Sequence, residues 1–163
     1  MIFIHRCLKN SVIGSNRQKG SVIAQGVVPR LLQLLCDPNN AYDDKIRLEA
    51  AVTLGSLAKG TDQHVLALID LGVVSSLIQV LSTSIPPESH SEKIKLYNSL
   101  YEASLRCMRT IFQHPSAPVS SIFQDANFIS QLLKLSTISM NCKMYVAMIF
   151  TTSCKVWNLH KMT

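Results

Sequence analysis

Residues 26–35 read GVVPRLLQLL and residues 72–81 read GVVSSLIQVL, with six of ten positions identical at a spacing of 46. A weaker third copy, NFISQLLKLS, occupies 127–136. Self-similarity at a period of 20 to 50 residues marks a solenoid, in which no single unit buries its own apolar face and stacking closes the core. Such an array makes a surface, so a partner is sought before a reaction.

The sequence between the two strong copies predicts helices. Pro29 stands in a first turn, where its missing N–H costs nothing, and Leu31, Leu32, Leu34 and Leu35 give a wide apolar stripe. Asp37-Pro38-Asn39-Asn40 stops that helix, because the residue before proline resists the α region. A longer helix is expected from about Asp44 to Lys59, with Leu48, Ala51, Val52, Leu54, Leu57 and Ala58 at three- and four-residue steps. Gly60 is expected to close it in the left-handed conformation. A shorter helix, Asp62–Leu71, leads to Gly72, where the pattern restarts. Leu8, Gly14, Val22, Ile23 and Gly26 each fall 46 residues before a matching Leu54, Gly60, Leu68, Ile69 and Gly72.

One unit is therefore a short helix, a second helix opened by glycine, and a long third helix. Three-helix units of about 40–47 residues are the armadillo type. The fold class expected is all-α, an armadillo-type right-handed α-solenoid of about three repeats plus one partial leading helix. The whole chain, 1–163, is one array. A partial leading repeat covers 2–13, complete repeats cover 15–60, 61–114 and 117–155, and 156–163 is a divergent tail. The second repeat carries extra residues placed mostly in 82–95, STSIPPESHSEKIK, whose two prolines and four serines read as a surface loop. Ile2, Phe3 and Ile4 at one end, and Tyr145, Met148 and Ile149 at the other, are expected to lack a covering unit.

Composition narrows the function. Hydrophobic residues make up 47% and charged residues 16%, which excludes a disordered chain. No apolar run reaches the roughly 18–20 residues that cross a bilayer. The opening MIFIHRCLKN holds four residues before His5 and Arg6, too few for a secretory core. A cytosolic or nuclear setting is expected. The five cysteines (7, 36, 107, 142 and 154) are scattered without a C-x-x-C pair, and neither His5/Cys7 nor Cys154/His160 completes a zinc set. They read as small hydrophobes, with neither metal nor disulfide expected.

The net charge of +6 is uneven: residues 1–36 carry five cations and no acid, 37–125 seven against ten, and 126–163 four and none. Arg6, Lys9, Arg17, Lys19 and Arg30 are spread out with no aromatic platform, so they read as a solvated face and no nucleic-acid partner is expected. There is no Gly-rich phosphate loop, no G-x-S-x-G and no H-E-x-x-H. Glu49 and Glu102 read as carboxylates near the starts of long helices. Cys107, between Arg106 and Arg109, reads as a packed thiol. Neither a catalytic centre nor a cofactor or small-molecule site is expected.

In armadillo arrays the third helix places two positions, four residues apart, in the concave groove. Aligning AVTLGSLA with SLRCMRTIF puts Arg6, Val52, Arg106 and Met148 at the first position, and Asn10, Ser56, Thr110 and Thr152 at the second. Where such arrays read nuclear-import peptides the pair is Trp and Asn on an acidic floor; this chain has neither Trp nor an acidic floor there, its one tryptophan being Trp157, so an import-receptor role is not expected. Arg6, Arg106, Arg109 and Lys59 leave a mildly basic floor suited to acidic or mixed segments. The competing reading is that several of these side chains pack between repeats and touch no ligand.

The segments LKNSVIGSNRQK (8–19), VVPRLLQLL (27–35), AVTLGSLAKGT (51–61) and SLRCMRTIF (104–112) resemble the armadillo repeat-containing protein 8 family. The resemblance spans roughly 8–155 and implies the N-terminal repeats of a longer protein; residues 1–7 and 156–163 depart from it. It implies a non-catalytic subunit of the ubiquitin ligase named for its LisH and CTLH motifs, the animal counterpart of the yeast glucose-induced degradation complex. The role implied is a scaffold contacting the ligase core, in both nucleus and cytoplasm, in support of proteasomal degradation. The alternative is a peptide-binding armadillo adaptor in signalling or cell adhesion.

Overall fold

The computed structural model describes residues 14–36, 43–120 and 124–161, with side chains through Lys155. The leading repeat at 2–13, with Arg6 and Asn10, lies outside the described residues, as do the side chains of the tail at 156–163. Eight helices and no strand are found among the described residues. They are α1 (Asn16–Ala24), α2 (Val27–Leu35), α3 (Asp44–Leu57), α4 (Asp62–Asp70), α5 (Val73–Ser82), α6 (Ser91–Ile111), α7 (Ala126–Leu135) and α8 (Met140–Lys161).

Their ends explain why the sequence repeats. Ser15 opens α1 by accepting from the Gln18 N–H while Gln18 reaches back to the Ser15 N–H. Forty-six residues later Thr61 and His64 build the same reciprocal box on α4. Gly26 and Gly72 then take left-handed φ values of 71° and 82° between the first and second helices. A Cβ at either would meet open space, so glycine is demanded there by the backbone alone. At the second of these turns α4 and α5 meet at 65°.

Helices pack against their equivalents in the next unit: α1 on α4, α2 on α5, α3 on α6, α5 on α7 and α6 on α8, the α3–α6 seam being the most extensive. This is translational stacking. The third helices share one burial register. Ala50, Thr53 and Leu57 of α3, Ser104, Cys107 and Ile111 of α6, and Val146, Ile149 and Ser153 of α8 are all buried; one turn earlier Leu100 and Cys142 are buried and Ile46 is half-buried. The offsets are 54 and then 42 residues. Each large apolar side chain sealed in these seams contributes about 1.5–3 kcal/mol. At the α3–α6 seam a Cβ on Gly55 would sit 3.6 Å from the Cys107 Cβ, so the two helices approach at van der Waals distance.

Three expectations are corrected here. The 82–95 stretch is not one loop: Ser82 ends α5, and residues 91–95 form the start of α6. The interval between second and third helices is eight residues in both units, 36–43 and 83–90. The extra length instead makes α6 21 residues long against 14 for α3. Pro86 and Pro87 fall in the interval, whereas Ile94, Tyr97 and Leu100 keep helical spacing beyond it. Gly60 is not left-handed; it is needed because a Cβ there would collide with the His64 ring, which must stand close to cap Thr61. Lys19 is not part of a solvated face. It is buried, and its Nζ donates to the Lys59 carbonyl at 3.4 Å, tying α1 to the end of α3.

A buried cation also fastens the first unit to the second. Arg47, 5% exposed, donates from Nε to the Leu35 carbonyl and from a terminal nitrogen to Asp44, both at 3.1 Å. Its guanidinium lies 5.8 Å from the Tyr97 ring centre. Tyr97 meets Tyr101 edge to face, and the Tyr101 hydroxyl donates to the Thr83 carbonyl at 2.6 Å. Burial pushes that hydroxyl up to about 12. Tyr97 belongs to the turns that α6 has and α3 lacks, so the added helix length serves this junction.

Candidate protein-docking site

The shared register fixes which third-helix residues face outward. One row runs Leu48, Glu102, Met144; the next runs Val52, Arg106, Met148; a third runs Ser56, Thr110, Thr152. None of the nine is buried. The structure therefore places Val52, Ser56, Arg106 and Thr110 on one open face, in the rows the sequence alignment assigned them. Leu48, Val52, Asn98, Glu102 and Arg106 line a 270 Å³ groove there, closed at one side by Ile138 and Ser139. Arg109 and Thr110 belong to a neighbouring 330 Å³ hollow with Lys59, Gln113 and His114.

Not every predicted groove residue offers a free polar group. The Ser56 hydroxyl donates to the Val52 carbonyl at 3.1 Å, and the Thr110 hydroxyl to the Arg106 carbonyl at 2.9 Å. Both are spent on their own helix, as Ser and Thr in helices often are. Val52 and Arg106 are the predicted pair that shares the groove, and Arg109 stands apart from it.

Glu102 is corrected from a residue near a helix start to one in the middle of α6, because α6 begins at Ser91. Its two oxygens accept from Ser139 Oγ at 3.1 Å and Asn141 Nδ2 at 2.9 Å. Ser139 also accepts from the Cys142 N–H, capping α8, so Glu102 sets a carboxylate at the positive end of that helix. Arg106, one turn along α6, consequently has no carboxylate on it. Among the described residues neither Arg106 nor Arg109 forms an ion pair, and the Arg109 Nε is buried without a hydrogen-bond partner.

Cys107 is fully enclosed, and burial pushes its thiol up to about 12 against a small opposing pull from Arg106. The desolvation outweighs the arginine, so the thiol packs and is held protonated. Cys142 is likewise raised by burial. Among the described residues no group of three His, Cys, Asp or Glu side chains is placed to hold a metal ion. Ile149, expected to be bare, is instead buried. The exposed apolar residues of that unit are Leu133, Met140 and Met144, the last at 47%.

The armadillo/beta-catenin-like repeat family matches residues 15–59, the span of α1 to α3. The chain is 36% identical over 149 residues to armadillo repeat-containing protein 8 of Xenopus laevis, and 38% identical over 148 residues to that of Mus musculus. The chain carries armadillo repeats related to those of armadillo repeat-containing protein 8. These matches cover 91% of this chain but only 19% and 20% of the relatives, so it spans about one fifth of their length. A designed armadillo repeat protein superposes with a TM-score of 0.50 at 16% identity, covering 91% of this chain and 73% of that one. That likeness concerns the fold alone.

Within this armadillo frame, sequence reasoning missed three things. Arg47 has no local pattern that singles it out from the other cations. Glu102 looked like a helix-start carboxylate because the start of α6 was misplaced. Leu48 and Met144 lie one turn before the two outward positions that the alignment assigns to each helix; their signal is the four-residue step to Val52 and Met148.

Proposed function

We propose that this chain is a non-catalytic scaffold module that docks other proteins on the open face of its third helices. We further propose that those proteins are core subunits of a LisH/CTLH-type ubiquitin ligase, so that the chain supports proteasome-dependent degradation in cytoplasm and nucleus. The observation that carries the docking reading is the set of aligned outward rows from α3 to α8, with a groove and, among the described residues, a cation without an ion pair. Support for the choice of partner is the similarity to armadillo repeat-containing protein 8 across 91% of the chain.

Affinity purification of the tagged chain from animal cells tests both parts. Recovery of LisH- and CTLH-motif proteins with a RING pair is expected. Recovery of adhesion or signalling partners in their place would leave the docking reading and overturn the ligase assignment. An Arg106→Glu variant is expected to lose part of the recovered set; an unchanged set would overturn the groove's role.

A further inference from the structure

Resting on that docking reading, we propose that the segment seated on the open face carries one acidic residue between two apolar residues. The rows dictate this order. Val52 and Leu48 present aliphatic surface on the first rung, and Met148 and Met144 present thioether side chains on the third. Between them stands Arg106. Glu102 lies beside it, but its two oxygens are engaged by Ser139 and Asn141 at the positive end of α8, so the Arg106 guanidinium keeps its donors for an acceptor on an incoming chain. A carboxylate on the middle rung gains a charge-assisted hydrogen bond; a cation there meets repulsion. Apolar residues on either side cover Val52 and the methionines, whose flexible side chains adapt to different shapes.

Helix spacing sets the interval between anchors. Packed helices lie about 8–10 Å apart, and an extended chain advances about 3.3 Å per residue. An extended segment crossing the rungs therefore places its three anchors two to three residues apart. The expected motif is an aliphatic residue or methionine, then Asp or Glu, then another apolar residue, within about seven positions.

Selection of phage-displayed random 12-residue peptides on the full 163-residue chain tests this. Acid-centred sequences with flanking apolar residues are expected to enrich. Arg106→Glu is expected to deplete them about tenfold and favour Lys or Arg at the centre. Met144→Lys, at an already exposed position, is expected to weaken the preference for one flanking apolar residue while leaving the acid preference intact. Enrichment of a motif without an acid, or an acid preference untouched by Arg106→Glu, overturns this inference and leaves the docking reading standing. No enrichment on a chain with unchanged helical content overturns both.

Discussion

Replacing Arg47 by Ala is expected to destabilise the chain by about 2–5 kcal/mol, although Arg47 touches neither the groove nor any proposed partner. The figure follows from what the side chain holds. Truncation strands the Leu35 carbonyl in a buried setting, costing about 1–3 kcal/mol. It also removes the pair with Asp44, whose side chain is 16% exposed, at about 0.5–1 kcal/mol. The contact with Tyr97 adds about 0.5–1 kcal/mol. Arg47→Lys recovers only part, because one ammonium cannot reach the carbonyl, the carboxylate and the ring together. Urea unfolding followed by helical circular dichroism measures the loss, with exposed Arg17→Ala as a control expected within about 0.5 kcal/mol of the parent. A double-mutant cycle with Tyr97→Leu is expected to show coupling of about 0.5–1 kcal/mol. An Arg47→Ala chain as stable as the control would refute the view that this cation clamps the first two units.

Glu102→Ala is expected to cost about 1–2 kcal/mol and to speed hydrogen exchange at residues 140–146 more than at 100–111; equal acceleration of both would contradict a capping role. Gly60→Ala is expected to destabilise by about 1–2 kcal/mol through the His64 ring, a loss removed when His64 is also Ala. Gly72→Ala costs about 1 kcal/mol through its φ and gains nothing from His64→Ala; the same response at both glycines would refute the distinction. Alkaline pH should weaken the fold. Cys107 ionises near pH 9 when unfolded but near 12 when buried, so its contribution is complete below pH 9 and is lost as pH rises toward 12. The expected slope is on the order of 1 kcal/mol per pH unit, flattened in Cys107→Ala; an identical slope in that variant would contradict it.

The parts of this fold that were legible in the sequence are those set by local backbone chemistry. Gly26 and Gly72 mark left-handed turns whose requirement depends on φ alone, so they repeat in sequence as they repeat in space. The Ser15–Gln18 and Thr61–His64 boxes likewise sit in spans of four residues. What stayed hidden depends on contacts across units. Serine and proline composition made 82–95 look like a loop, yet both prolines fit in the interval before Ser91 and the helix forms behind them. Gly60 resembled a helix stop because its actual constraint, the His64 ring, comes from the next helix. Arg47 and Lys19 are buried because carbonyls at helix ends in other elements accept from them, and no local pattern announces that.

Distances between Val52, Arg106 and Met148 probe the stacked rungs most directly. Nitroxides placed at these positions through unnatural amino acids would report them by electron spin resonance. Regular stacking predicts two similar short steps of about 8–10 Å between backbones and a first-to-third distance near their sum. A first-to-third distance no longer than either step, as three helices closed into a bundle would give, would contradict the array and the open face with it.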